Sequence, residues 1–307
     1  MSINSVGETS AAETSAAEAG TDDAGAAADS RWAFGTGFED PLAGIDTSVP
    51  DDVDRDALAS YCLMLGDDAL VMSHRLQEWC TNAPELEDEM AIANIALDLL
   101  GQARLLLARA GKADGSGRGE DDYAFFRAEH EFRNVRLVEI KRGDFGDLIA
   151  QLLVFAIWRL ALLQRLLTSR DPVLAAIAAK GVKEVTYHRD YAAQWAVRLG
   201  DGTAYSHQRM RAGLASIWPM VDELFAAHEV ERTMTEAGVG VDPAELRDEF
   251  DDVLSQVLSA ATLERPDVSP LAGVSGRTGR HGLHTEAMGY VLAELQSVPR
   301  AHPEARW

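Results

Sequence analysis

The sequence predicts an all-α fold, and three observations carry that prediction. Ala and Leu are abundant, while Val and Ile are not gathered into alternating runs, which favours helix over sheet. Long segments space their apolar residues by threes and fours, the period of one helical face. Asp-Pro, Asn-Ala-Pro and Gly-rich junctions cut the chain between these segments, as helix starts and stops require.

The first core helix is expected over 54–81, with Leu58, Tyr61, Cys62, Leu65, Ala69, Met72, Leu76 and Trp79 on its inner side. Asn82-Ala83-Pro84 ends it. Pro84, followed by Glu85, Glu87, Asp88 and Glu89, suits the positive end of a second helix. This helix runs to Ala110 and stops at Gly111. Residues 111–120 read as a flexible loop, 122–130 as a short helix, and EFRNVRLVEIKRGD as an irregular excursion. A third long helix spans 144–169. It is apolar on nearly all sides, so several neighbours must bury it. Asp171-Pro172 caps a fourth, which runs to about Leu199. A fifth covers 205–228 with a break at Pro219, a sixth 242–263 and a last 285–297. The loop 266–283 lies between the last two. Four long helices with a long connection before the third give a ferritin-like four-helix bundle with additional C-terminal helices.

The formal net charge is −22, and residues 1–52 carry −10 of it through eleven acids and one base, Arg31. Phosphate backbones would be repelled, so nucleic acid is excluded as a partner. Residues 1–50 read as a disordered or poorly ordered acidic extension, with residues 51–307 as the helical domain; Trp32, Phe34, Phe38 and Leu42 mark a stretch that either docks locally or serves as linker. Cys62 and Cys80 fall in one expected helix, roughly 27 Å apart at ~1.5 Å per residue, too far to bridge. They suit a reducing compartment. No apolar run reaches the ~18–20 residues of a membrane span, and the N-terminus lacks a secretory pattern. The expectation is a cytoplasmic protein without a membrane partner.

The second helix holds an odd feature. Asn94, Asp98 and Gln102 stand one turn apart in an otherwise apolar run. In a ferritin-like bundle such a row raises the question of a carboxylate-bridged di-iron centre, which needs a Glu from each of two helices and Glu-x-x-His from each of the other two. Asp67, His74, Glu78, Glu87, Asp147, Gln151, Glu184 and His188 are further candidates. The template is not met: Gly101 stands three residues after Asp98, Tyr187 stands three after Glu184, and the third helix has no Glu in its interior. A degenerate mononuclear site at Glu78, Asp98, Glu184 and His188 is a weaker alternative. The reading adopted is that Arg75, Glu78, Asn94, Asp98, Gln102, Glu184 and His188 satisfy one another in a buried polar network, with no metal and no catalytic residue in this chain. The sequence has no G-x-S-x-G, no C-x-x-C and no phosphate loop. The stretch 277–282, RTGRHG, is either an anion contact or an ordinary loop that anchors the C-terminus.

Five blocks then carry a resemblance: LGDDALVMSHRLQEWC (65–80), ANIALDLLGQARLLL (93–107), EFRNVRLVE (131–139), KEVTYHRDYAAQWAVRLGDGT (183–203) and GRHGLHTEAMG (279–289), with the terminal Trp307. In this order they resemble the PaaC family, the C subunits of the multicomponent ring 1,2-phenylacetyl-CoA epoxidase. The likeness covers roughly residues 54–307. It implies a ferritin-like structural subunit in aerobic phenylacetate catabolism that pairs with the catalytic A subunit and supports substrate binding and assembly. The resemblance places the di-iron cofactor in the A subunit. It has NADPH supply electrons through a flavin and iron–sulfur reductase, and leaves no cofactor to this chain. It also brings Glu131, Phe132, Arg133 and Asn134, and with less agreement in identity Thr233, Met234 and Thr235, near the CoA-ester ligand. The competing readings are an autonomous di-iron oxygenase with unusual ligands and a helical adaptor unrelated to oxygenation.

Overall fold

The computed structural model describes residues 42–141 and 143–305. Most of the expected N-terminal extension, with Trp32, Phe34 and Phe38, lies outside the described residues, as does Trp307. Residues 42–50 do not behave as free tail. Val49 is buried, and Arg109 donates to the carbonyls of Thr47 (2.6 Å) and Ser48 (3.2 Å), so the folded region begins earlier than residue 51.

The described residues are all-α. The bundle is made by α1 (Arg55–Gln77), α2 (Leu86–Ala113), α4 (Phe145–Leu166) and α5 (Pro172–Gly200), with α3 (Glu120–Phe125) in the connection before α4. α1 packs on α2, α4 on α5, and α2 on α5, so two antiparallel hairpins joined by a long crossover form the ferritin-like arrangement. α6 (Ala204–Ile217) lies on α4, and α7 (Glu229–Glu236) and α9 (Glu286–Ala301) on α1; α8 (Arg247–Ala260) lies on α4 and α5.

The caps follow the sequence. Asp54, Asp144, Asp171 and Thr203 accept hydrogen bonds from the opening N–H groups of α1, α4, α5 and α6, which satisfies donors that no helical carbonyl can reach. Pro219 ends α6 in short 3-10 turns. α7 was not foreseen, and α2 passes through Gly111 to Ala113. A Cβ at Gly111 would lie 2.0 Å from the Arg118 carbonyl oxygen. This glycine therefore permits close packing of the 114–119 loop rather than ending the helix. α9 also runs beyond its expected end, past Pro299.

α4 is the central helix. Leu148 to Leu163 are buried without interruption, including one arginine, Arg159. Both α2 and α4 are long and apolar enough to cross a membrane, which corrects the expectation drawn from unbroken apolar runs. Burial separates the two: α4 is enclosed by the bundle, while α2 is only partly covered. Cys62 is buried, Cys80 is partly buried, and both are free thiols.

Candidate functional site

Two adjacent acids on α1, Asp67 and Asp68, organise the interior. Both are fully buried. Neighbouring positions on a helix point about 100° apart, so they take different partners. Asp67 is held by the fork of Arg127, with Nη1 to Oδ2 at 3.0 Å, and by the N–H of Arg133 at 2.8 Å. Asp68 is held by the fork of Arg280 (3.0 and 2.9 Å) and by the N–H of Val135 at 2.8 Å. The crossover segment 127–135 is thereby pinned to α1 by charge and not by regular structure.

Arg280 also donates to the carbonyls of Met64 (3.1 Å) and Arg133 (2.8 Å), and Glu231 lies 3.8 Å away. Burial opposes its charge, but Asp68, Glu231 and Glu223 outweigh that and hold its pKa above the usual guanidinium value. The stretch RTGRHG is thus an internal anchor through Arg280. Gly282 has a left-handed backbone (φ +74°), and a Cβ there would lie 2.1 Å from the His130 carbonyl oxygen, so only glycine lets this loop close on the crossover.

Glu139, also buried, accepts four bonds: from Asn134 Nδ2 (2.9 Å), His284 Nδ1 (2.7 Å), and the N–H and hydroxyl of Thr285 (2.7 Å each). His284 Nε2 meets the Phe132 carbonyl at 3.2 Å. Both imidazole nitrogens therefore face acceptors, which requires the doubly protonated ring. Burial works against that charge, but Glu139 overcomes it and raises the pKa.

The seven residues expected to form one network are placed in three groups. Arg75 pairs with Glu78 (2.5 Å) and donates to the Glu139 and Ala287 carbonyls, tying α1 to the crossover and α9. Asp98 meets His188 (3.0 Å), and Gln102 donates to Glu184 (3.0 Å), tying α2 to α5. Asn94 is exposed. The reason is helical drift: each step of four residues turns the side chain ~40°. The row accordingly passes from Gln102 in the interior, through Asp98 at its edge, to Asn94 outside.

The donor set around this row does not fit a di-iron centre. Glu184 is engaged by Gln102 and by Lys180 (2.8 Å), and Asp98 by His188. Arg159 donates to Gln102 at 3.3 Å and brings a buried positive charge whose Nε and Nη1 have no partner. Burial pushes its pKa down to about 10, with Asp68 as the main opposing charge. Among the described residues no cluster of three or more His, Cys, Asp or Glu could hold a metal ion.

Of the two segments expected near a ligand, the first reaches Arg280 through the Arg133 carbonyl; on α7 it is Glu231, outside the expected Thr233, Met234 and Thr235, that lies 3.8 Å from the same guanidinium. Phe132 is buried beneath Arg127, 4.0 Å from ring centroid to guanidinium. Asn134 is buried; Arg133 is half-buried and Glu131 exposed. On α7, Met234 is buried, Thr233 is exposed and Thr235 is half-buried, and both hydroxyls bond their own helix. Beside them the His228 and His281 rings stack edge-to-face at 4.5 Å. Burial lowers the pKa of His228 to about 4, helped by His281, Arg280 and Arg133. Burial, then Arg277 and Arg133, lowers that of His281. Arg133, Arg277 and Arg280 stand at this corner together with the carboxylates of Glu229 and Glu231.

Asp68, Arg127, Glu139, Arg159 and His284 were not singled out from the sequence as members of this interior. The available signal was charge inside apolar runs, in LGDDAL on α1 and in AIWRLAL on α4.

Comparison with known proteins gives the chain's family. The family model described as phenylacetic acid catabolic protein matches residues 44–307. A relative from Escherichia coli (strain K12), named as the C subunit of 1,2-phenylacetyl-CoA epoxidase, is 45% identical over 251 residues, covering 81% of this chain and 99% of the relative.

Proposed function

The chain belongs to the phenylacetic acid catabolic protein family, and from that premise we propose that it is the non-catalytic structural subunit of a phenylacetyl-CoA 1,2-epoxidase. Its role is in phenylacetate catabolism, as a component of a multicomponent oxygenase. The observation that carries the structural assignment is the occupied polar row: Asp98 and Glu184 are paired within the protein, next to the buried cation Arg159. In this reading the di-iron cofactor belongs to the catalytic A subunit, which pairs with this chain in the cytoplasm, and electrons reach it from NADPH through a separate flavin and iron–sulfur reductase. The finer reading is that Arg133, with His228, His281 and Arg277, faces the anionic CoA portion of the ester. The Arg133 and Arg277 guanidiniums support it, because phosphate groups favour such charged donors.

The test is expression alone and together with the catalytic subunit. The chain alone is expected to carry no stoichiometric iron and to turn over no phenylacetyl-CoA. The pair is expected to co-purify and to be active with the reductase. Iron bound through Glu184 and His188, or turnover by the chain alone, would favour the autonomous oxygenase. For the ligand reading, Arg133→Glu in the complex is expected to raise KM for the CoA ester by ~10-fold or more with kcat little changed; an unchanged KM removes Arg133 from the ligand site.

A further inference from the structure

α2 differs from the other bundle helices on its outer side. Leu86, Met90 and Leu97 are 67%, 60% and 61% exposed. Their spacing of four and seven keeps them within about 40° on the helix. Asn94, the other exposed position between Met90 and Leu97, is uncharged. α5 carries a single large apolar ring on its outer side, Tyr187, set among the polar outward positions Lys183, Asp190, Gln194 and Arg198. One turn beyond Leu97 the stripe runs into a cleft between α1 and α2 of about 290 Å³. Leu100, Leu70 and Phe125 line it, together with Arg104, paired to Glu120 at 2.6 Å, and His74, whose buried Nε2 makes no hydrogen bond and lies 3.8 Å from the Glu294 carboxylate. A stripe that ends in an apolar socket with one under-satisfied polar atom has the anatomy of an interface core.

We propose that this face of α2 seats a helix of the catalytic epoxidase subunit, a helix with an apolar stripe bordered by Lys or Arg. The proposal rests on the subunit role argued above. The rim selects the occupant. Glu85, Glu87 and Glu89 stand at one end of the stripe, and Asp121 beside the cleft, where Glu120 is already paired with Arg104. A second copy of this chain would add another formal charge of −22 and set acid against acid, and an anionic membrane surface would be repelled in the same way. A basic-rimmed partner gains both the apolar burial and the charge complement.

The experiment uses the full chain and the catalytic subunit. Met90→Glu/Leu97→Glu is expected to weaken the complex by ~100-fold or more while leaving circular dichroism and Tm close to wild type, since both side chains are exposed. Hydroxyl-radical footprinting of the wild-type complex gives a second readout that needs no variant: oxidation of Met90 is expected to fall several-fold on binding. Wild-type affinity in the double variant, or undiminished Met90 oxidation in the complex, overturns the placement while leaving the subunit role intact. A wild-type chain that binds no epoxidase subunit overturns both. If the variant instead abolishes self-association of the isolated chain, or its binding to neutral or anionic lipid vesicles, a second copy or a membrane replaces the proposed partner.

Discussion

Asp67 and Asp68 share a turn of α1, yet each serves a different arginine from a different part of the chain. Buried pairs of this kind add little net stability over apolar packing but are costly to break from one side. Asp68→Asn leaves Arg280 and Arg159 buried with one fewer counter-charge. It is expected to lower the unfolding free energy by about 3 kcal/mol in chemical denaturation; a loss below about 1 kcal/mol would mean that the pair is not structurally required. The histidines report the same interior by titration. His284, bonded to acceptors on both nitrogens, has a raised pKa, so its stabilising contribution is present at low pH and is lost as pH rises through that value. His228 is the reverse. Its pKa is about 4, so its neutral form contributes fully above the unfolded value of about 6.5. That contribution fades as pH falls towards 4. Imidazole NMR titration should show two midpoints on opposite sides of 6.5, and two midpoints near 6.5 would contradict both assignments.

Between elements, glycine sets how closely helices approach. A Cβ on Gly213 of α6 would fall 2.8 Å from the Gly146 carbonyl oxygen and 3.0 Å from the Asp147 Cα of α4. Those are backbone atoms and cannot swing aside. Gly213→Ala is expected to cost about 1–3 kcal/mol, although Ala is intrinsically the better helix former by about 1 kcal/mol. Gly101→Ala on α2 is the contrast. Its nearest neighbour would be the Lys180 amine at 3.7 Å, an ordinary contact distance, so the helix preference should show as a gain of up to about 1 kcal/mol. Denaturant curves of the two variants should move in opposite directions; a Gly213→Ala protein as stable as wild type would mean that the α4–α6 approach is adaptable. Helix positions were legible because Asp144, Asp171 and Pro172 are local signals, read without knowing the fold. The role of Gly111 was not, since whether a glycine ends a helix or admits a neighbour depends on what packs against it.

Over the whole molecule the all-α class and the paired hairpins followed from apolar spacing, loop lengths and caps. The polar interior was legible only in part. Spacing excluded Gly101 and Tyr187 as ligand positions, and the pairing of Asp98 with His188 and of Gln102 with Glu184 agrees with a polar row that joins α2 to α5. Asn94 left that row through the 40° drift, and Arg75 with Glu78 left it because their partners lie on the crossover and α9. Asp68 and Arg280 could not be matched in advance, because no local rule links residues so distant in sequence.

That distance has a consequence for how the chain is made. Asp68 and Arg280 are 212 residues apart. The hairpin of α1 and α2 and that of α4 and α5 consist of near neighbours and can form while the nascent chain is still emerging. Asp68, Arg133 and the crossover nevertheless wait for a guanidinium that leaves the ribosome late in synthesis. Until then the Asp68 carboxylate has the Val135 N–H and the Arg159 charge but lacks its bidentate partner. The last loop therefore works as a latch, closing from the far end of the chain an interior that the helices alone leave one charge pair short.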